Sequence, residues 1–139
     1  MIKKINHIAI IVPDLDSSLA FWRDTLGLPL THTEEVKSQE SIVAFLPMGD
    51  SEIELVQPTT DTSGAAKFLA KRGPGLHHIA LEVDNLAEML VTLKEKGVRL
   101  INEMPITAAG GNRAAFIHPE SANGVLVELY EVGMARLDS

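Results

Sequence analysis

The run Leu76-His77-His78-Ile79-Ala80-Leu81-Glu82-Val83-Asp84-Asn85 is of strand length, carries a histidine near its start and passes at once into an acidic turn. Such a turn is the usual opening of a helix. The same design stands earlier, at Ile5-Asn6-His7-Ile8-Ala9-Ile10-Ile11-Val12-Pro13-Asp14. His7 and His78 lie 71 positions apart, each followed by Ile-Ala. A chain that repeats a histidine in one structural slot is built to bring two histidines together.

Strand parity sharpens this. Alternate side chains of an extended strand share a face, so Ile5, His7, Ala9 and Ile11 look one way and Ile8, Ile10 and Val12 the other. The second set is wholly β-branched and suits a helix-covered face. The first sets a histidine beside a small alanine, which leaves room in front of the imidazole. In the later copy His78, Ala80 and Glu82 share a face opposite Ile79, Leu81 and Val83, and His77 has the wrong parity.

The pattern continues outward on both sides. Residues 13–17 open a helix that Asp14 or Asp16 can cap, and Leu15, Leu19, Trp22 and Leu26 form one stripe of it before Gly27 stops it. Strands are expected at 28–33, 42–46 and 52–56, with a polar connection at 34–41 and a turn at 47–50. The last of these strands turns Glu52, Glu54 and Val56 to one side and Ile53 and Leu55 to the other. After a polar linker and a helix over about 65–71, the order repeats. Asp84-Asn85 opens a helix whose buried side is Leu86, Met89, Leu90 and Leu93, and Gly97 ends it 70 positions beyond Gly27. Strands follow at 98–102, 113–117 and 125–130, with a long loop over 103–112, a turn over 118–124 and a frayed tail after Val132. The fold class is therefore α+β. Two βαβββ modules, at about 5–57 and 76–131 and joined by a linker helix at about 62–72, make a single domain over 1–139.

Composition narrows the function. At 139 residues with a hydrophobic share of 45%, the chain can bury a core without staples. It has no cysteine, which excludes disulfides, thiolate metal sites and a cysteine nucleophile and is compatible with the cytoplasm. The start enters strand-like sequence immediately, and no stretch approaches the ~20 apolar residues of a membrane span. A net charge of −7 argues against nucleic acid as a partner.

His7 matches His78 on the first strand of each half, and Glu54 matches Glu128 on the last, in Ile-Glu-Leu-Val and Val-Glu-Leu-Tyr. Modules related by a pseudo-two-fold axis would bring all four to one face. Two imidazoles and two carboxylates suit one divalent ion of borderline hardness with positions left for substrate. Ligand identity does not choose among Co, Mn, Zn, Ni and Fe. A lone strand histidine is ordinarily structural, and His77 and His118, without repeat partners, are read so. The four-fold match is what makes a site.

These stretches, together with Gly110-Gly111-Asn112-Arg113, His118-Pro119, Gly124-Val125-Leu126-Val127-Glu128-Leu129 and Ala66-Lys67-Phe68-Leu69, resemble the vicinal-oxygen-chelate (glyoxalase-like) superfamily and, within it, the methylmalonyl-CoA epimerases. The resemblance covers nearly the whole chain and is strongest after Gly75. It implies an open, eight-stranded mixed-sheet barrel around a metal held by His7, Glu54, His78 and Glu128. Some members have glutamine where this chain has Glu54. It further implies an isomerase acting on an acyl-CoA thioester, with a homodimer as the common assembly.

The implied reaction inverts a carbon flanked by a carboxylate and a thioester through an enolate, with Glu128 as one acid/base. Some members carry a second acid/base on the third strand of the first module, a position that falls here near Val43. Glu40, three residues earlier, is the substitute the sequence offers. Gly111, Asn112 and Arg113 are expected to offer backbone N–H groups and a side-chain amide to substrate oxygens. A glyoxalase-type lactoylglutathione lyase would use the same four ligands, an extradiol dioxygenase two histidines and one glutamate, and a metal-free small-molecule-binding protein none of them.

Overall fold

The computed structural model describes residues 1–133. Its strands are β1 (Ile2–Ile11), β2 (His32–Val36), β3 (Ser41–Met48), β4 (Ser51–Pro58), β5 (Gly75–Val83), β6 (Ile106–Thr107), β7 (Arg113–Ile117) and β8 (Val127–Glu131). Its α-helices are α1 (Leu15–Leu19), α2 (Gly64–Arg72) and α3 (Leu86–Glu95). The strands form one mixed sheet in the order β2-β3-β4-β1-β5-β8-β7-β6. Each half of the chain thus follows βαβββ order, with α2 between the halves. No helix among the described residues is long and apolar enough to cross a membrane.

The described chain packs as two compact units, one of residues 7–77 and one of residues 1–6 with 78–133. In the first, β4 runs parallel to β1 and antiparallel to β3. Val12, Leu15, Leu19, Leu46, Ile53 and Leu55 form its apolar core. In the second, β8 runs parallel to β5 and antiparallel to β7, and Val83, Leu86, Leu90, Ala115 and Leu129 pack together under α3. The even-odd alternation on β4 and β8 sends Leu55 and Leu129 into these cores and Glu54 and Glu128 to the opposite face.

Local chemistry accounts for the helix ends. The Asp14 carboxylate accepts from Ser17 N–H at 2.9 Å, and Asn85 Oδ1 from Glu88 N–H at 3.2 Å. Past α3 the chain turns at Gly97, whose φ of 82° is a left-handed conformation, so that Val98 N–H reaches back to the Leu93 carbonyl.

Three elements differ from expectation. The first helix is α-helical only to Leu19 and continues as a π-helical turn over Ala20–Thr25. Leu26 N–H bonds to the Phe21 carbonyl, and Thr25 Oγ1 donates to the Ala20 carbonyl, both five residues back. The wider turn shifts the phase of the stripe and leaves Leu26 54% exposed. The second strand begins at His32 and not at residue 28, and it takes in part of the expected polar connection. Pro29 has no N–H for a ladder, and Leu28 and Leu30 pack on the core as loop residues instead. The strand expected at 98–102 is reduced to a single bridge, Leu100 to Ile117, and a two-residue strand forms within the expected loop. Asn102 Oδ1 occupies the Phe116 N–H that a longer ladder would have used. From residue 134 the tail lies outside the described residues.

Leu55 is fully buried on the core side of β4. Leu55→Ala is expected to lower the unfolding free energy by about 2–5 kcal/mol. Urea unfolding followed by circular dichroism checks this, with an unchanged m-value marking a purely native-state effect.

Candidate metal centre

Each unit holds one histidine–glutamate pair with a buried carboxylate, and the two pairs occupy the same strand positions. In the first, the parallel register sets Ala9 beside Glu54. His7 lies two residues before Ala9 and therefore on the same face. Its Nδ1 is 3.2 Å from Glu54 Oε2, and the two residues are 2% and 6% exposed. In the second, the parallel register sets Ala80 beside Glu128. His78 lies two residues before Ala80, with Nε2 3.0 Å from Glu128 Oε1. Phe116, paired across β7–β8 with Glu128, sets its ring edge-on to the imidazole with centroids 5.3 Å apart. In both units an alanine separates the two functional side chains, and both alanines are fully buried. A larger residue there would fill the space in front of the imidazole.

A carboxylate withdrawn from water is costly unless a donor or a cation meets it. Here each has an imidazole nitrogen as its neighbour. The same spacing fits a shared cation, since two donors each about 2.1 Å from one ion at right angles lie about 3.0 Å apart. The chemistry of the donor set, imidazole nitrogen with carboxylate oxygen, suits a first-row divalent metal.

The remaining residues singled out in the sequence sort as follows. Glu40 adopts a left-handed backbone (φ 50°) before β3, and its Oε1 accepts from the hydroxyls of Thr60 and Thr62 at 2.8 and 3.3 Å. It holds the chain leading into α2. Arg113 begins β7, half-buried, and Gly111 sits in a left-handed turn (φ 75°). The Asn112 amide turns inward. Its Nδ2 donates to the Tyr130 hydroxyl at 3.0 Å and to the Ala109 carbonyl at 3.2 Å, and its Oδ1 accepts from Gly133 N–H. His77 packs edge-on against Phe68, and His118 Nδ1 accepts the Glu120 N–H.

Two features escaped the sequence reading. Glu82 is buried on the His78 face of β5, where Asn6 Nδ2 donates to it at 2.9 Å and Lys3 Nζ lies 3.4 Å away. An asparagine beside His7 was the signal for that partner. Tyr130 shares a strand face with Glu128 and was given no role. Its hydroxyl donates to the Ala109 carbonyl at 2.9 Å.

A model of the glyoxalase/bleomycin resistance protein/dioxygenase superfamily matches residues 6–116. The chain belongs to that superfamily. Among its relatives, the ethylmalonyl-CoA/methylmalonyl-CoA epimerase of Cereibacter sphaeroides is 37% identical over 95% of this chain and 100% of its own length. The uncharacterized protein YqjC of Bacillus subtilis is 41% identical over 92% of this chain and 91% of its own. Among solved structures, a methylmalonyl-CoA epimerase in complex with methylmalonyl-CoA and NH4+ superposes with a TM-score of 0.90 at 34% identity, covering 96% of this chain and 97% of that one.

The buried pairs generate a non-additive prediction. His7→Leu leaves the Glu54 carboxylate buried beside an apolar group and is expected to cost about 3 kcal/mol or more. The double variant His7→Leu/Glu54→Leu is expected to be more stable than that single variant. A double-mutant cycle by chemical denaturation, run on metal-free protein, reads the coupling.

Proposed function

We propose that His7, Glu54, His78 and Glu128 together hold one divalent ion, and that the chain interconverts the (R) and (S) forms of methylmalonyl-CoA. The observation that carries this reading is the repeated slot, a histidine beside a buried glutamate and spaced from it by a buried alanine in each module. Nothing in either core requires such a pair, yet both modules have one. Its similarity over nearly the full chain to the Cereibacter epimerase, and to a structure holding methylmalonyl-CoA, supports the substrate class.

The carbon to be inverted is acidified by the carbonyl groups on both sides. When bound, the ion supplies Lewis acidity to the oxygens that flank it; cobalt, manganese, zinc, nickel or iron would each suit the donors. Glu128 accepts the proton from that carbon, water delivers one to the opposite face, and Glu128 then returns its proton to solvent. Phe116, against His78, fixes the imidazole edge that Glu128 meets. We assign no proton transfer to Glu40, whose carboxylate is engaged by Thr60 and Thr62.

Two experiments test this reading. The first concerns the ion alone. Cobalt or zinc added to EDTA-stripped protein is expected to raise its melting temperature, because an ion bound only by the folded chain adds about 2.7 kcal/mol at 100-fold excess over its Kd. His7→Ala and His78→Ala are each expected to lose most of that gain in calorimetry.

The second concerns the reaction. Wild-type protein in D2O is expected to exchange the α-proton of methylmalonyl-CoA and to leave a glutathione hemithioacetal unchanged. Glu128→Gln is expected to slow the exchange by about 10²–10⁴-fold. Proton NMR follows both substrates. Turnover of the hemithioacetal instead would make the chain a glyoxalase-type lyase, and full exchange activity in Glu128→Gln would remove that residue from the mechanism.

A further inference from the structure

The loop before β7 is fastened to the face that carries Glu128 by two side chains, Tyr130 and Asn112. On β8, Glu128 and Tyr130 are two residues apart and point the same way. The Tyr130 ring packs with Ala80, Ala108 and Ala114, three small residues that make room for it on that face. Its hydroxyl, buried with the rest of the side chain, donates to the Ala109 carbonyl at 2.9 Å and accepts from Asn112 Nδ2 at 3.0 Å. Asn112 Nδ2 also reaches the Ala109 carbonyl, and Ala108 N–H bonds to the Asn112 carbonyl at 2.7 Å. Between these anchors the chain makes two consecutive left-handed residues, Gly110 (φ 71°) and Gly111 (φ 75°). A double-glycine turn has much conformational freedom to lose. Two polar side chains meeting on one carbonyl remove it.

We infer that Tyr130 is a positioning residue, which with Asn112 fixes the Gly110-Gly111 turn on the Glu128 face and so sets the affinity for the thioester substrate. It does not touch the reacting carbon. The inference rests on the proposed reaction for its substrate. The fastening itself rests only on the hydrogen bonds and packing within this unit. Pre-ordering a loop lowers what binding must otherwise spend in entropy, so its loss falls on affinity and leaves the proton transfer at Glu128 in place.

Tyr130→Phe keeps the ring and removes the hydroxyl, and Asn112→Ala removes the other half of the fastening. Either variant is expected to raise KM for methylmalonyl-CoA roughly tenfold, the size of one net hydrogen bond. In both, kcat stays within about twofold and bound-metal content is unchanged. Hydrogen–deuterium exchange across residues 108–112 is expected to quicken. Unchanged exchange in both variants overturns the fastening. Faster exchange with unchanged KM, or a fall confined to kcat, overturns the positioning role.

Calorimetric titration with propionyl-CoA, which lacks the free carboxylate of methylmalonyl-CoA, separates the layers. A wild type that binds it without turning over methylmalonyl-CoA refutes the reaction alone, and a roughly tenfold weaker binding by Tyr130→Phe still supports the positioning role. Equal binding by the two proteins refutes that role.

Discussion

Parallel pairing between the first and last strands of each module is the constraint on which the rest depends. In a parallel ladder the residues set beside one another are fixed by register, and a slip of one position turns every side chain to the other face. Here the register sets alanine beside glutamate twice, Ala9 by Glu54 and Ala80 by Glu128. With alanine in the middle, the histidine two residues upstream and the glutamate one strand across approach over open space. The same register sends Ile53 and Leu55, or Leu129, into a helix-covered core on the far side. Core packing therefore enforces the geometry of the polar pair, since moving the glutamate would expose the leucines. That coupling explains how two carboxylates can be kept out of water in so small a protein.

The face-by-face arrangement was legible in the sequence because it follows from a period of two and from a duplication. Strand parity separated His78 from His77, and the internal repeat joined it to His7; the structure gives both histidines a buried glutamate as neighbour. The strands bearing these four residues were found where alternation put them. What the sequence hid was the behaviour of segments that alternation does not govern. The π-helical turn over Ala20–Thr25 carries five-back hydrogen bonds from the Leu26 N–H and the Thr25 hydroxyl, which leave no mark on an apolar stripe. The late start of β2 reflects Pro29 and the pairing demanded by β3, a tertiary requirement. The near-absence of a strand at 98–102 turns on one asparagine side chain that takes a backbone donor.

The loop over 108–112 illustrates a different limit. Gly110-Gly111-Asn112-Arg113 suggested donors facing a substrate, because glycines free backbone N–H groups and asparagine carries an amide. In the structure the amide faces inward, to Tyr130 and the Ala109 carbonyl. Asn112 thus shapes the loop from within. Its partner lies 18 residues on in another strand, and only the fold shows that the two meet. A motif states which groups are present; their partners decide which way they act.

The division of labour between the two faces also bears on how such a site can change chemistry. On the covered face the residues are large, apolar and interlocked, and substitutions there are paid in stability. On the other face of the second unit, the residues packed with Tyr130 are Ala80, Ala108 and Ala114, each small and buried. Small residues under a polar pair leave volume that different loops can fill without disturbing the register beneath. Under the proposed function, the ion's donors are held by strands whose pairing the cores enforce, while the inferred effect on thioester affinity resides in a glycine turn held by two hydrogen-bonding side chains. A lyase and an epimerase of this superfamily can then share the donors and differ in what stands over them. In this chain, the loop fastened to Tyr130, two residues beyond Glu128, owes its shape to the Tyr130 hydroxyl.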